Sequence, residues 1–266
     1  MRIDQTRVAI RERTWLDSLD LALHFIRVNF RGCLGAALAG AAPFILLNVL
    51  LVSLTLGGGL SEGFEFDMFF FSTVLVLLEA PLATAPLTLL LGQVMFVERA
   101  SPGKIGQDLL SSLPQLLLYQ VVLRILPVIT LPLGYAIWPY LNEIILLERN
   151  PLQSRPGQLS TRKRSSLLHA GGSGDYVIRT IGASIISLLL MGAIWTASLM
   201  LLNMLFGLQL GRVGQIVLFQ FTLWTVAMYF TVARFLTYLD QRIRNEGWEV
   251  ELALRAQRQR LVRQIA

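Results

Sequence analysis

Residues 180–211 read TIGASIISLLLMGAIWTASLMLLNMLFGLQLG, a stretch of 32 residues without a charged side chain. A helix needs about 20 apolar residues to cross the hydrocarbon core of a bilayer. Two other uncharged stretches, 32–61 and 213–233, are also long enough. Because helices in soluble proteins rarely stay uncharged over such lengths, the sequence predicts an all-α, polytopic membrane helical bundle.

The composition of the chain agrees with this fold class. Of its 266 residues 54% are hydrophobic and 15% are charged, against about 25% charged in an ordinary soluble domain. The single cysteine, Cys33, allows no intrachain disulfide, and two histidines are too few for a His-rich metal site. The sequence has no phosphate-binding loop, serine-hydrolase elbow, zinc-protease motif or CxxC pair. We therefore expect no enzyme, no cofactor and no bound metal.

The apolar stretches predict about six transmembrane helices. Their approximate ranges are 34–56, 68–97, 113–130, 131–147, 180–206 and 213–236. The second range contains Pro81 and Pro86, which predict one tilted, kinked span. The region 114–147 is compatible either with two crossings or with a segment that re-enters the membrane. Ser101 and Pro102 predict the start of a short helix that ends near Leu113.

Both ends of the chain show amphipathic helical patterns. Thr14 and Asp17 resemble a capping box, and Leu16, Leu19, Leu23, Ile26 and Phe30 follow at helical spacing. This pattern predicts an N-terminal interfacial amphipathic helix within residues 1–31, or a helix docked on the protein's own loops. Residues 240–266 predict a C-terminal cytoplasmic helix.

The distribution of basic residues predicts the orientation. With six spans, 21 of the 23 Lys and Arg residues lie on one side of the membrane, and only Arg124 and Arg212 lie on the other. Basic loops stay cytoplasmic during insertion, so both termini are expected inside, at a bacterial cytoplasmic (inner) membrane. The net charge of +6 thus reflects sidedness, and no nucleic acid partner is expected.

The domain organisation follows from these assignments. The whole chain, 1–266, is expected to form a single integral membrane domain. Residues 1–31 are interfacial or cytoplasmic, 32–239 form the transmembrane bundle with a cytoplasmic loop at 148–179, and 240–266 form the cytoplasmic helix.

Three ionisable residues in apolar stretches are candidates for a function within the membrane. They are Glu79, Arg124 and Glu143. A charge within the membrane is energetically costly, so its presence suggests a function. A pair between Glu79 and Arg124 could fix helix register or form part of a polar path. Glu143 is expected to reach the cytoplasmic headgroups.

Two further groups are candidates for contact with lipid or between helices. Arg162, Lys163 and Arg164 form a basic cluster that is either a contact for anionic lipid headgroups or ordinary topogenic charge. Gly32, Ala36 and Gly40, spaced by four, predict a face on which another helix packs closely. The expected partner is therefore membrane lipid. The small-residue face would also suit a protein partner or a second copy of the chain.

Three stretches resemble the membrane domain of glycerophosphoryl diester phosphodiesterase-like proteins. The first is 15–44, with FIRVNFR at 25–31 and a later Pro43; the second is Glu148 followed by KRSSLL at 163–168; the third is YLDQRIRNEGWE at 238–249. Residues 150–161 look like an insertion in the second stretch. The resemblance implies a compact helical membrane module with cytoplasmic termini. Catalysis in those phosphodiesterases belongs to a separate soluble barrel, so it implies no catalytic residues here.

The third stretch also has a local physical interpretation. Its charged residues form two i,i+4 pairs, Asp240 with Arg244 and Arg242 with Glu246, followed by Gly247. Each such pair stabilises an isolated helix by about 0.2–0.5 kcal/mol. The sequence as a whole predicts a non-enzymatic integral membrane module: a scaffold, an accessory subunit or a lipid-interacting component. The alternative is a transporter or channel that uses Glu79 and Arg124.

Overall fold

A computed structural model describes residues 14–56, 64–96, 101–122, 138–152, 159–169 and 173–246, whose regular structure is helical. In chain order the helices are α1 (Trp15–Val28), α2 (Phe30–Leu56), α3 (Phe64–Ala83), α4 (Ala85–Phe96), α5 (Pro102–Leu116), α6 (Leu141–Glu143), α7 (Thr161–His169), α8 (Ser173–Phe206) and α9 (Arg212–Glu246). Two π-helical segments follow α5 and α6 directly, at Leu117–Val122 and Ile144–Glu148. The prediction of a helical bundle is confirmed.

Four of the described helices are long and apolar enough to cross a membrane. They are Phe30–Thr55, Phe66–Ala83, Gly174–Phe206 and Arg212–Arg244, with the shorter apolar helix Ala85–Met95 beside them. The protein is therefore an integral membrane protein built around these helices. The predicted third and fourth spans, 113–130 and 131–147, include residues 123–137, which lie outside the described residues, so these two crossings stay predictions.

Helices α3 and α4 run along α2 in the opposite direction. Gly40 of α2 lies against Ala83, Gly32 lies near Leu90, and Asn48 lies near Glu79, so the pairing keeps a nearly constant register. The single kinked span predicted at 68–97 is interrupted at Thr84, between Pro81 and Pro86. The interruption is mild, because the Thr84 and Thr88 amides still donate to Ala80 and Thr84.

Three predicted boundaries differ in the structure. The short helix expected to end near Leu113 continues through Pro114 and then changes to π-type hydrogen bonding at Leu117. The polar loop expected at 148–179 contains α7 and the start of α8. The helix expected from Asp240 is the last part of α9 as far as Glu246. Charge patterns mark where a chain leaves lipid, and a helix can continue beyond that point.

A short turn joins α8 to α9, as the sequence predicts. Gly207 adopts a positive φ of 60°, and the Leu208 amide donates to the Leu202 carbonyl. The Gly207 amide also donates to the Asn203 carbonyl, four positions earlier, and this bond together with the left-handed glycine is typical of an αL C-cap. The turn makes α8 and α9 antiparallel neighbours.

Helix α1 begins at the predicted capping box. The Thr14 side chain accepts from the Asp17 amide, and the Asp17 carboxylate accepts from the Thr14 amide. Its predicted apolar stripe is divided: Leu19 packs in the core, whereas Leu16 and Leu23 are exposed. The helix docks on α9, where the Tyr229 hydroxyl donates to the Leu19 carbonyl.

Candidate functional site

Glu79 takes part in a polar contact among α2, α3 and α9. Its carboxylate accepts from the Asn48 Nδ2 at 2.7 Å, and the same nitrogen lies 3.4 Å from the Gln220 Oε1. Asn48 and Gln220 are fully buried. Their contact joins three membrane-length helices. Arg124, the predicted partner of Glu79, lies outside the described residues, so that pair stays a prediction.

A second polar contact ties α6 to the interruption between α3 and α4. Asn142 accepts from the Gln120 Nε2 at 2.6 Å and donates to the Pro81 carbonyl at 2.8 Å. Pro86 has no amide hydrogen, so a helical carbonyl near Pro81 lacks its usual donor. Asn142 thus holds the interrupted region against the π-helical end of α5.

Glu143 does not reach the headgroups, which corrects the expectation drawn from its sequence position. Its side chain is fully buried, and its Oε1 lies 2.7 Å from the Arg234 Nε of α9. Residue 143 faces the interior because α6 is packed into the bundle, with Leu141, Asn142 and Ile144 also buried. An unpaired charge there would be very costly, and Arg234 supplies the pair.

Glu148 joins three parts of the chain at the end of the second π-helical segment. Its carboxylate accepts two bonds from Arg164 of α7, at 2.6 and 2.9 Å, and one from the Tyr238 hydroxyl of α9 at 2.7 Å. The Arg242 Nε lies 3.8 Å away. Burial of Glu148 would raise its pKa, but the bonds from Arg164 and Tyr238 outweigh burial and hold the pKa below its usual value.

The basic cluster in α7 is therefore divided. Arg162 and Lys163 are exposed and remain available to headgroups. Arg164 faces inward and pairs with Glu148, which corrects its assignment as a lipid contact. The helical spacing explains the difference, because successive residues of α7 point about 100° apart around its axis.

An aromatic cluster lies beside this network. The His169 ring stacks on Tyr140 with centroids 5.6 Å apart and meets Tyr176 edge-on at 5.2 Å. Its Nδ1 lies 2.6 Å from the Ser165 carbonyl, so Nδ1 carries the proton. Burial lowers the pKa of His169, and the ring is neutral at neutral pH.

A cavity of about 310 Å³ lies between α8 and the helices α1, α3 and α9. Two arginines line one end of it, Arg179 of α8 and Arg234 of α9. Its other end is apolar, with Leu188, Met191 and Leu223. Among the described residues that line it none is acidic. Within the described part of the chain, no partner is found for the buried Nη2 of Arg234.

The small-residue face of α2 makes one very close contact. A Cβ at Gly40 would overlap the Ala83 carbonyl oxygen, so only glycine allows this approach. At Gly32 a Cβ would meet only the end of the Leu90 side chain, at 3.6 Å. Ala36 is half-buried and packs on the core.

The C-terminal motif is described only in part. The Arg244 Nη2 lies 2.8 Å from the Asp240 Oδ2, as the i,i+4 spacing predicts. Arg242 turns toward Glu148. The side chain of Glu246 and all of Gly247 lie outside the described residues.

Sequence reasoning missed Arg234 and Arg179 as site residues, because both were counted as topogenic charge. Arg234 had a usable signal: it lies between apolar residues on both sides, within the predicted span 213–236. Arg179 had none, since it follows a polar loop. Within the residues that the structure covers, no cluster of three or more His, Cys, Asp or Glu side chains could hold a metal ion.

Comparisons with protein-family models, with curated proteins and with solved structures find no match to the chain. The fold itself defines the class of the protein, which is that of helical integral membrane proteins. Its function has to be inferred from the contacts described above.

Proposed function

We propose that the protein is a non-enzymatic, multi-pass membrane module of a bacterial inner membrane, with about six spans and both termini in the cytoplasm. The observation that carries this proposal is the use of polar side chains within its apolar helices. Glu79 bonds to Asn48, and Glu143 bonds to Arg234. Each contact joins helices that are distant in sequence, as expected for groups that fix packing.

The convergence of the motif residues supports the same proposal. Glu148 and Arg164 come from the second stretch that resembles the phosphodiesterase-associated membrane domain, and Tyr238 and Arg242 come from the third. The side chains of Arg164, Tyr238 and Arg242 meet around the Glu148 carboxylate. A network of this kind explains why such residues would occur together in a membrane domain without catalytic chemistry.

A flux assay tests the proposal against the transporter alternative. The protein is reconstituted in vesicles that contain a pH-sensitive dye, beside Glu79→Gln and the control Asp20→Asn, whose side chain is exposed on α1. We expect no proton flux above that of protein-free vesicles. Proton flux that Glu79→Gln abolishes and Asp20→Asn preserves would establish a transporter and overturn the proposal.

A second experiment separates the forms that the module could take. Cross-linking in native membranes, followed by purification and protein mass spectrometry, detects stoichiometric neighbours. A stoichiometric partner supports an accessory subunit, and cross-links between identical peptides support a homo-oligomer. Cysteine labelling at Arg162 and at Gly211, in a background with Cys33 replaced, tests the orientation: only the first position should be accessible from the cytoplasm.

A further inference from the structure

We propose that the cavity between α8 and α9 binds an anionic phospholipid from the cytoplasmic leaflet, with its phosphate at Arg179 and Arg234 and one acyl chain along the apolar remainder. The inference deepens the proposed function, and it rests on the membrane orientation given there.

The cavity has the length and the polarity gradient of half a bilayer. Its wall on α8 extends from Tyr176 to Met191, which corresponds to about 22 Å along a helix. Half of a hydrocarbon core measures about 15 Å, so the rest of the wall reaches headgroup depth. Arg179 and Arg234 lie at that end because α8 and α9 are antiparallel.

The charges at the polar end favour an anion. Arg234 uses its Nε for Glu143, and its buried Nη2 has no partner within the described residues. The Arg179 Nη2 lies 3.9 Å from Asp175, whose side chain is 74% exposed, so that carboxylate neutralises it only weakly. Guanidinium groups match phosphate oxygens in geometry. The cavity therefore carries net positive charge where a lipid phosphate would lie.

The remaining wall suits an acyl chain. Between the arginines and Met191 the lining consists mainly of aliphatic side chains and of hydroxyls already bonded to their own helix, such as Thr180 and Thr231. A hydroxyl bonded in this way offers little to a polar ligand. A bound solute without an apolar tail would leave most of this surface uncovered.

Two contacts hold α8 at a fixed distance from the bundle and keep the cavity open. At the polar end the Trp15 ring fits against Gly182, where a Cβ would lie 2.9 Å from the Trp15 Cη2. At the apolar end Trp195 meets Phe69 and Phe219 edge-on, with centroids 5.8 and 5.3 Å apart. The α8 residues that line the apolar part of the cavity, from Ala183 to Met191, lie between these two aromatic supports. Leu188, which lines the cavity, is also 60% exposed, so the cavity is open toward the lipid phase.

Native mass spectrometry of the detergent-purified protein, titrated with phosphatidylglycerol and with phosphatidylcholine, tests the anionic part. We expect the wild type to prefer phosphatidylglycerol, and Arg179→Gln to weaken that lipid's binding about five-fold. Lys104→Gln removes an equal charge from the exposed surface of α5, outside the cavity, and should leave binding unchanged. Equal binding of the two lipids by the wild type, or equal losses in the two variants, would overturn the proposal.

A second pair of variants tests the acyl-chain part. Ser187→Phe fills the apolar section of the cavity, whereas Leu189→Phe adds the same ring on the exposed face of α8. Only Ser187→Phe should abolish phosphatidylglycerol binding. Displacement of the lipid by inorganic phosphate alone would show a headgroup-only site and contradict the bound acyl chain.

Photo-cross-linking of the wild type tests the site if a variant fails to fold. A phosphatidylglycerol with a diazirine in one acyl chain should label Ser187 and Met191 more strongly than Ile185 and Leu189, and uniform labelling would overturn the proposal. The flux assay through Glu79 is independent of these results, because Glu79 is not among the residues that line the cavity. Failure of the lipid site and failure of the proposed function are therefore distinguishable.

Discussion

Helices α8 and α9 are antiparallel neighbours of almost equal length, 34 and 35 residues, but their surroundings are opposite. In the most apolar 18-residue stretch of α9, 56% of the residues are buried. In the corresponding stretch of α8 no residue is buried. Yet α8 is the more hydrophobic helix, with a window mean hydropathy of 2.2 against 1.7. In a bilayer, apolar side chains gain little free energy when they move from lipid into the protein interior. Polar side chains are stabilised when they face inward and find partners there.

The polar residues of α9 identify it as the central helix. Five of them are buried, namely Gln220, Thr222, Thr231, Thr237 and Asp240, whereas Gln215 and Arg234 are half-buried and Thr225 is exposed. Gln220 and Arg234 contact side chains from other helices. The comparison of α8 with α9 therefore teaches that polarity, more than hydropathy, indicates which membrane helix the others surround.

The largest expected effect concerns the ion pair that ties α6 to α9. Glu143→Leu leaves Arg234 without its buried partner, and we expect a loss of about 3–5 kcal/mol in the free energy of unfolding in detergent. The double variant Glu143→Leu, Arg234→Met removes both charges and should recover most of the loss. Thermal unfolding followed by size-exclusion chromatography measures both. A single variant as stable as the wild type would show that the pair does not hold α9.

Truncation of one large side chain in each helix tests the comparison directly. Phe219 of α9 is fully buried and contacts Phe69 and Trp195, so Phe219→Ala should cost about 3 kcal/mol through lost packing. Leu189 of α8 is 68% exposed, and Leu189→Ala should change stability by less than about 0.5 kcal/mol. Equal losses in denaturant titrations would mean that α8 is also covered.

Two glycine variants in α2 test the close packing inside the bundle. Gly40→Ala places a methyl group against the Ala83 carbonyl, and we expect a loss of about 2 kcal/mol from overpacking. Gly35→Ala is the matched control, because its added methyl group would meet no atom of the described residues within 4 Å. Thermal unfolding should separate the two variants, and similar melting temperatures would contradict the close α2–α3 contact.

The smallest effect concerns the C-terminal end of α9 and depends on pH. The pKa of Glu148 is lower in the folded state than its unfolded value near 4.5. The ionised carboxylate therefore stabilises the folded protein when the pH is above that unfolded pKa. This stabilisation is lost as the pH falls through the folded pKa. At neutral pH Glu148→Gln should cost about 1.5 kcal/mol.

Thermal unfolding between about pH 7 and about pH 3 measures this dependence. The difference between wild type and Glu148→Gln should shrink on acidification, while Asp175→Asn, which alters an exposed carboxylate, should show no such change. A difference that stays constant with pH would assign the loss to shape and not to charge.

Much of this fold follows from sequence because long apolar runs and caps are local signals. Residues 180–206 predict a helix long and apolar enough to cross a membrane, and Thr14 with Asp17 predicts the start of α1; both are confirmed. The partners of buried polar groups are set by tertiary packing instead. Glu143 was expected among headgroups because of its distance along the chain from Glu148, and nothing local shows that α6 turns inward toward Arg234.

The same reasoning explains what was missed at the candidate site. Arg179 and Arg234 are 55 positions apart in sequence, and only the antiparallel turn at Gly207 brings them to one end of a cavity. The cavity itself depends on Trp15 and Trp195, which hold α8 away from the bundle. A gap between helices has no signature in any single segment.

Lipid accessibility along α8 and α9 tests the central claim most directly. Spin labels are placed one at a time at Ile185, Leu189 and Gly192 of α8, which are exposed, and at Phe219, Val232 and Phe235 of α9, which are fully buried and do not line the cavity. The background has Cys33 replaced by Ser, and collisions with oxygen are measured in proteoliposomes. The account predicts high collision rates at all three α8 positions and low rates at the α9 positions. Low rates along α8 as well would show that another chain covers it, and would contradict a lipid-facing α8 beside a buried α9.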